Sequence, residues 1–464
     1  MMMDIALARE LRGLVSDDGR VIPANMIEKK YLSDALARMT GSAEALVFPV
    51  STAETSALMD YAYRRDIPVT ARSAGTNLTG STVPLTGGLV LDFSRMNRLL
   101  EIDAETFCAT VEPGILLGEF QQTLEAQGLF YPPDPGEKTS AIGGNIATNA
   151  GGMRAVKYGV TRDYVRGLEI VKADGSVLNL GGKTVKDASG LSLKNLIVGS
   201  EGTLALITKC ILKILPLPRE SKGALAAFPS LEAGIAAVNP LLKSDPTAIE
   251  FLERDIVALG EKYTELSFPL PGRAAYLLLA YHGNSKNEIQ ERLHLAREIC
   301  ENAGAEDFLV IEDAAAFDRV WQIRGCIVKA VEAFSEQEPL DIVVPINRLS
   351  FFINFVHNVE RESGLRMVSF GHAGDGNVHL CVIRGGRSAE EWERVLKEVM
   401  PLLYRTAAAI GGLVSGEHGI GIAKQRYFLE NTAAQNIALM RQIKAVFDPK
   451  NLLNPGKSYH NLLS

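Results

Sequence analysis

No two cysteines in this 464-residue chain are spaced as CxxC. The five that occur, Cys108, Cys210, Cys300, Cys326 and Cys381, are scattered. That argues against an iron–sulfur cluster held by the chain's own thiols and fits buried free thiols in a reducing cytoplasm. No run of about 18 apolar residues is present, so no membrane span is expected. The start, MMMDIALARELRGLVSDDGR, carries charge too early for a signal peptide. There is no Lys/Arg-rich block, and a net charge of −7 argues against a nucleic-acid binder. No GxGxxG opens a helix after a strand, which disfavours a Rossmann NAD fold. Gly182-Lys183-Thr184 and Gly456-Lys457-Ser458 resemble P-loop endings, but the glycine needed five positions earlier is Val177 in one and Asn451 in the other. Histidine is absent before His282.

With 47% hydrophobic and 22% charged residues, the chain can bury a large core without a disulfide or a metal. Its length implies more than one domain. Residues up to about 40 read as helical, with Ile5, Leu7, Leu11 and Leu14 at helical spacing. From Ala45 to about Pro218, short β-like runs (ALVFPV, IPVTAR, GGLVLDF, FCATVEP) alternate with helical pieces and glycines. Residues 219–410 form a second unit, with strands such as AAYLLLAYHG and helices such as NEIQERLHLAREICENAG. Residues 411–464 are helical with glycine-rich turns. The expected class is α+β, with domains at 1–218 and 219–410 and a C-terminal segment, 411–464, that completes the site and returns to the first domain.

Two loops invite a ligand. Arg72-Ser73-Ala74-Gly75-Thr76-Asn77-Leu78-Thr79-Gly80 follows a predicted strand, and its successive backbone N–H groups make a concave anion site; by itself it is equally a hairpin loop. Ser140–Gly152 holds Gly143-Gly144 and Gly151-Gly152, which let backbone lie against a flat ligand where any Cβ would clash. Gly199-Ser200-Glu201-Gly202 is a third turn between β-like runs.

Three of the seven histidines sit in motifs with chemical meaning. In Gly371-His372-Ala373-Gly374-Asp375-Gly376-Asn377-Val378-His379, Asp375-Gly376 predicts a two-residue hairpin. Opposite partners then sum to 751, placing His372 directly across from His379, close enough to chelate one ion. A pair of half-buried sheet histidines is the alternative. In Ser415-Gly416-Glu417-His418-Gly419, extended backbone would send Glu417 and His418 apart, one to a metal and one to a substrate. Trp321-Gln322-Ile323-Arg324 offers a guanidinium fork for a carboxylate, or an ordinary helix-surface arginine. His282, His294, His357 and His460 lack such contexts and read as structural or surface residues.

Taken in order, these motifs resemble the vanillyl-alcohol oxidase / p-cresol methylhydroxylase superfamily, in its glycolate oxidase large-subunit and D-lactate dehydrogenase branch. The resemblance runs from about Ala45 to Lys457 and implies a PCMH-type FAD-binding domain plus a cap domain with an antiparallel sheet flanked by helices. It implies FAD contacts from Arg72, Ser73, Ala74, Gly75, Thr76, Asn77 and Leu78 at the pyrophosphate. Pro132, Asp134, Ser140, Gly143, Gly144, Asn149, Gly151 and Gly152, with Tyr158 and Gly159, would lie along the rest of the cofactor. Glu201 and Ile207 would touch its adenosine end, and Asn454 would approach the flavin. Some relatives tether flavin through a histidine in the first loop; Thr76 stands after Gly75 here, so the FAD is expected to be non-covalent.

The pattern H-x-G-D-G-N-x-H followed by E-H-G-x-G implies a divalent metal, zinc or manganese, on His372, His379 and Glu417. It assigns His418 as base, Asn377 to the substrate and Arg324 to its carboxylate. Relatives acting on 2-hydroxyglutarate carry a lysine where Pro339 stands, which favours lactate or glycolate. The implied reaction is oxidation of a small D-2-hydroxy acid, with electrons leaving to an external acceptor: an electron-transfer flavoprotein, an iron–sulfur partner, a quinone or a cytochrome. The implied assembly is a homodimer or hetero-complex, cytoplasmic or held at a membrane through a partner. An alkylglycerone-phosphate-synthase-like transferase and a silent electron-relay subunit are the alternatives.

Overall fold

The computed structural model describes residues 2–460. They form two compact units. The first comprises the chain up to Ala150, Val160–Leu217 and everything from Glu417; the second comprises Gly151–Gly159 and Pro218–Gly416.

The strands of the first unit are β1 (Val21–Pro23), β2 (Ala45–Val47), β3 (Val69–Arg72), β4 (Leu89–Asp92), β5 (Leu99–Asp103), β6 (Cys108–Val111), β7 (Leu129–Phe130), β8 (Val165–Val171), β9 (Val177–Gly181), β10 (Leu206–Lys213) and β11 (Leu215–Pro216). One sheet has the order β1-β2-β4-β3, with β2, β4 and β3 parallel. A second, antiparallel sheet has the order β5-β6-β10-β8-β9. β7 and β11 pair separately. The helix Thr52–Arg64 connects β2 to β3 and buries Leu58, Met59 and Ala62 against the first sheet. β3 is an edge strand, and the C-terminal segment covers that edge: Val69 N donates to Leu452 O and Asn454 N to Val69 O, each at 2.8 Å. An unpaired edge is thereby closed.

The expected helix to residue 40 is corrected. Helix Met2–Arg12 ends before Gly13, and 3-10 turns and β1 follow. Gly13, Gly19 and Pro23 each oppose helix continuation, by backbone entropy or by a missing N–H. Leu11 is fully buried, and Leu7 and Leu14 pack beside it; the side chain of Ile5 lies outside the described residues.

The second unit holds β12 (Glu220–Phe228), β13 (Ala248–Glu253), β14 (Ala275–Gly283), β15 (Asp307–Ile311), β16 (Gln337–Val343), β17 (Arg366–His372) and β18 (Asn377–Ile383). They form one sheet of order β15-β12-β14-β13-β17-β18-β16, antiparallel throughout. Leu252, Phe370, Cys381 and Ile383 share one face, packed by Ile256 and Val257, Val320 and Ile323, and Ile327 and Val331 from the helices Arg254–Thr264, Ala314–Gly325 and Ile327–Phe334. The five cysteines are free, four of them buried and Cys326 partly so. Among the described residues no helix is long and apolar enough to cross a membrane.

The start of helix Thr52–Arg64 is anchored electrostatically. Glu54 accepts Arg20 Nη1 and Nη2 at 2.7 and 2.8 Å and Val50 N at 3.0 Å. The Arg20 hydrogen bonds chiefly hold the Glu54 carboxyl at about 2, against an ordinary 4.5. A carboxylate depressed on folding stabilises above its unfolded pKa, and that contribution is lost as pH falls through the folded one. Glu54→Gln is therefore expected to cost on the order of 3 kcal/mol at pH 7. Chemical denaturation should show the gap between variant and parent closing as the pH is lowered from 4.5 toward 2.

Candidate active site

In the first unit the loop after β3 borders a cleft with a cavity volume of about 210 Å³. Arg72–Leu78 line it, together with Ser140, Gly143, Gly144, Glu201, Ile207, Glu417 and His418. The loop is organised from within. Asn77 Oδ1 accepts Thr79 N and Ser81 N at 3.0 and 2.9 Å. Gly75 has φ +71, in the left-handed region that favours glycine, and the missing Cβ leaves room for the Arg72 guanidinium, which would lie 1.9 Å from it.

The two glycines of the second loop serve different ends. A Cβ at Gly143 would strike Pro113 at 2.5 Å, so protein packing requires it; at Gly144 the nearest atom is 3.7 Å away, so the missing Cβ leaves free space at the cleft. Ser140 Oγ and Thr82 Oγ1 line the same cleft, buried and without a protein partner. Buried hydroxyls are rarely left unpaired, so these fit a polar ligand.

Other expected cofactor residues lie elsewhere. Pro132 and Asp134 are buried but do not line the cleft, and Asp134 pairs with Lys138 at 2.6 Å; Pro135 and Glu137 line it instead. Asn149 ends the helix Ile142–Thr148 at φ +53, and its Oδ1 accepts Arg162 N at 2.9 Å. Asn454 tethers loops: its Nδ2 donates to Ser81 O and Glu201 O at 2.9 and 2.8 Å. Gly151, Gly152, Tyr158 and Gly159 belong to the second unit, where the Tyr158 hydroxyl meets His282 Nδ1 at 3.1 Å.

The second unit gathers the histidine motif. The predicted register is corrected by two residues: His372 pairs with Asn377 and Phe370 with His379, so partners sum to 749 and the turn is the four residues 373–376. Gly376 N donates to Ala373 O within it. The histidines are thus diagonal rather than opposite. A two-residue shift preserves the face, because the strand period is two. Their Nε2 atoms lie 3.3 Å apart.

Sequence reasoning missed the two carboxylates that flank this pair. β13 sets Glu250 directly across from His372, and β16 sets Asp341 directly across from His379. Glu250 Oε1 lies 2.7 Å from His372 Nδ1, and its Oε2 accepts Arg324 Nη2 and Nε at 2.6 and 2.8 Å. Asp341 Oδ1 lies 3.9 Å from His379 Nδ1. Burial works to raise the Glu250 carboxyl, but the charges of His372 and Arg324, with hydrogen bonds from both, hold it below its ordinary value. The contact of Nδ1 with Glu250 turns His372 Nε2 toward the other ring.

Arg324 stacks over Phe370 at 4.8 Å, and its Nη1 remains after Glu250 has taken the other two nitrogens. Asn377 donates both Nδ2 hydrogens, to Asp341 Oδ1 and Ile342 O, which leaves its Oδ1 as an acceptor. Asp341 also receives Ser415 Oγ and Gly416 N at 2.7 and 3.1 Å, fixing the chain one residue before Glu417. Backbone bends at 416–418 replace the expected extended stretch, and Glu417 Oε1 and His418 Nε2 approach to 3.9 Å instead of pointing apart.

The FAD binding domain family matches residues 43–181, and the family described as FAD linked oxidases, C-terminal domain, matches residues 217–458. A D-lactate dehydrogenase from Anaerostipes hadrus is 39% identical, over 96% of this chain and 95% of its own. The glycolate oxidase subunit GlcD of Bacillus subtilis is 35% identical, over 92% of each. The chain belongs to the FAD-linked oxidase family. Its branch is that of the D-lactate dehydrogenases and glycolate oxidases, and it is an FAD-linked oxidoreductase. The solved structure of p-cresol methylhydroxylase shares the fold, with TM-score 0.82 at 16% identity over 100% of this chain and 98% of that one. The first unit is accordingly the PCMH-type FAD-binding domain of this FAD-linked oxidoreductase. Replacing Gly144 with valine should fill the cleft: the variant is expected to purify with the parent's circular dichroism but without the visible absorbance of bound flavin.

Proposed function

We propose that this FAD-linked oxidoreductase oxidises a small D-2-hydroxy acid, D-lactate or glycolate, with help from a divalent cation, zinc or manganese. The observation that carries the reading is the 3.3 Å separation of His372 and His379 Nε2. Two nitrogens about 2.0–2.1 Å from one tetrahedral ion lie roughly 3.3–3.4 Å apart. Without an ion, a proton must fill the same gap. The carboxylate behind His372 is the usual support of a metal-binding imidazole. Glu417, next in the chain after the anchored Gly416, is assigned as the third ligand.

Bound FAD supplies the acceptor for the substrate's α-hydrogen and two electrons. A bound cation lowers the pKa of a coordinated hydroxyl. The remaining work falls to side chains. Arg324, through Nη1, holds the substrate carboxylate. His418, lining the cofactor cleft, takes the hydroxyl proton, a task suited to an imidazole near neutral pH. Asn377 is assigned to contact the substrate. Pro339 lies two residues from Asp341 along β16, on the same face, and puts no positive charge there for a second carboxylate. A monocarboxylate is favoured for that reason, although a D-2-hydroxyglutarate dehydrogenase from Danio rerio is 31% identical over 95% of this chain.

With no histidine in the Arg72–Gly80 loop, the FAD is held without a covalent tether. Electrons leave to an external acceptor such as an electron-transfer flavoprotein. A transferase reading draws only on fold, through alkyldihydroxyacetonephosphate synthase at 18% identity and TM-score 0.72. Anaerobic mixing with D-lactate tests the assignment of the base. His418→Ala should retain its flavin but bleach about 10²–10⁴-fold more slowly than the parent; bleaching at the parental rate would refute it.

A further inference from the structure

Glu201 is more than a wall of the cofactor cleft. Its side chain is buried, with 7% exposure, and its backbone adopts φ +51, a left-handed conformation that a non-glycine residue keeps only when its surroundings enforce it. The surroundings are four donors. Ile420 N reaches Oε1 at 2.9 Å, Gly421 N reaches Oε2 at 2.8 Å, Ser458 Oγ reaches Oε1 at 3.0 Å, and Ser81 Oγ also donates to Oε2. Two of these are consecutive backbone amides of the turn that carries His418.

The same turn is fixed from its other side. Ile422 N and Ala423 N donate to Thr79 O at 2.8 and 3.1 Å. A Cβ at Gly421 would lie 2.1 Å from that oxygen, and one at Gly419, which has φ +82, would lie 3.0 Å from the Glu201 carboxylate. Thr79 and Ser81 continue directly from the Arg72–Leu78 loop that lines the cleft. One carboxylate therefore joins the histidine's turn, held by two main-chain amides, to the stretch that continues the cofactor's loop, held by Ser81 Oγ.

The geometry points to Glu201 as a positioning residue for His418, setting the base relative to the flavin-binding loop. This rests on the reading of His418 as the base. Charge-assisted bonds to two adjacent amides suit the task, because both carboxylate oxygens accept and neither donates. A glutamine in that place presents an NH₂ to one of the two N–H groups and loses that bond. Displacing a reacting group by about 1 Å can cost 10²-fold in rate while leaving binding intact.

The test compares Glu201→Gln, Gly419→Ala, His418→Ala and the Glu201→Gln/His418→Ala double variant as purified flavoproteins. Flavin content and anaerobic reduction by D-lactate are measured over a range of D-lactate concentrations. Glu201→Gln and Gly419→Ala are expected to hold one FAD per chain and keep the substrate dissociation constant within about threefold, while the limiting reduction rate falls about 10²-fold. In the His418→Ala background, Glu201→Gln should cost nothing further, since it acts through the missing imidazole. Should Glu201→Gln fail to fold, Gly419→Ala carries the same comparison. Two results would overturn the proposal: an additive loss in the double variant, or loss of FAD with normal reduction in the flavin-loaded fraction. A failure of the His418 assignment shows separately, as normal bleaching in His418→Ala alone.

Discussion

Across one face of the second unit's sheet, Glu250, His372, His379 and Asp341 stand on four adjacent strands, β13, β17, β18 and β16. Two buried carboxylates and two imidazoles without compensating positive charge would be costly in an apolar core. Arg324 supplies part of that charge through Glu250. In the proposed reading a cation between the facing Nε2 atoms supplies the remainder. The apolar residues below them, Leu252, Phe370 and Cys381, keep the strands in the register on which the row depends.

The segment Ser415–Gly421 passes from the second unit to the first between Gly416 and Glu417. Before the crossing, Asp341 holds Ser415 and Gly416; after it, Glu201 holds Ile420 and Gly421. The two residues assigned to chemistry, Glu417 and His418, are thus bracketed by buried carboxylates. Glycines at 416, 419 and 421 make the close approaches feasible, against Asn377, Glu201 and Thr79 respectively.

Much of the site was legible in sequence because its signals are local. The loop after β3, Gly144 and the His372–His379 hairpin each announce themselves within a dozen residues. Asp-Gly predicts a tight two-residue turn, whereas Ala373 and Gly374 extend the loop and move the register by two residues; the face is shared either way, since side chains alternate with period two. Glu250 and Asp341 were not legible as partners. Glu250 lies 122 residues from His372, and in AIEFLE it reads as the outward residue of an ordinary strand. Only the strand order turns it inward, onto the imidazole. At the N-terminus the cause is the converse: helical spacing over four apolar residues predicts a longer helix than Gly13, Gly19 and Pro23 permit, and backbone preference prevails.

X-ray absorption at the metal edge of protein loaded with a stoichiometric divalent ion tests the central claim most directly. One ion per chain is expected, with two imidazole nitrogens at about 2.0–2.1 Å, one of them lost in His379→Ala. An ion whose shell contains no imidazole, or a metal-free protein that oxidises its substrate at full rate, would contradict it.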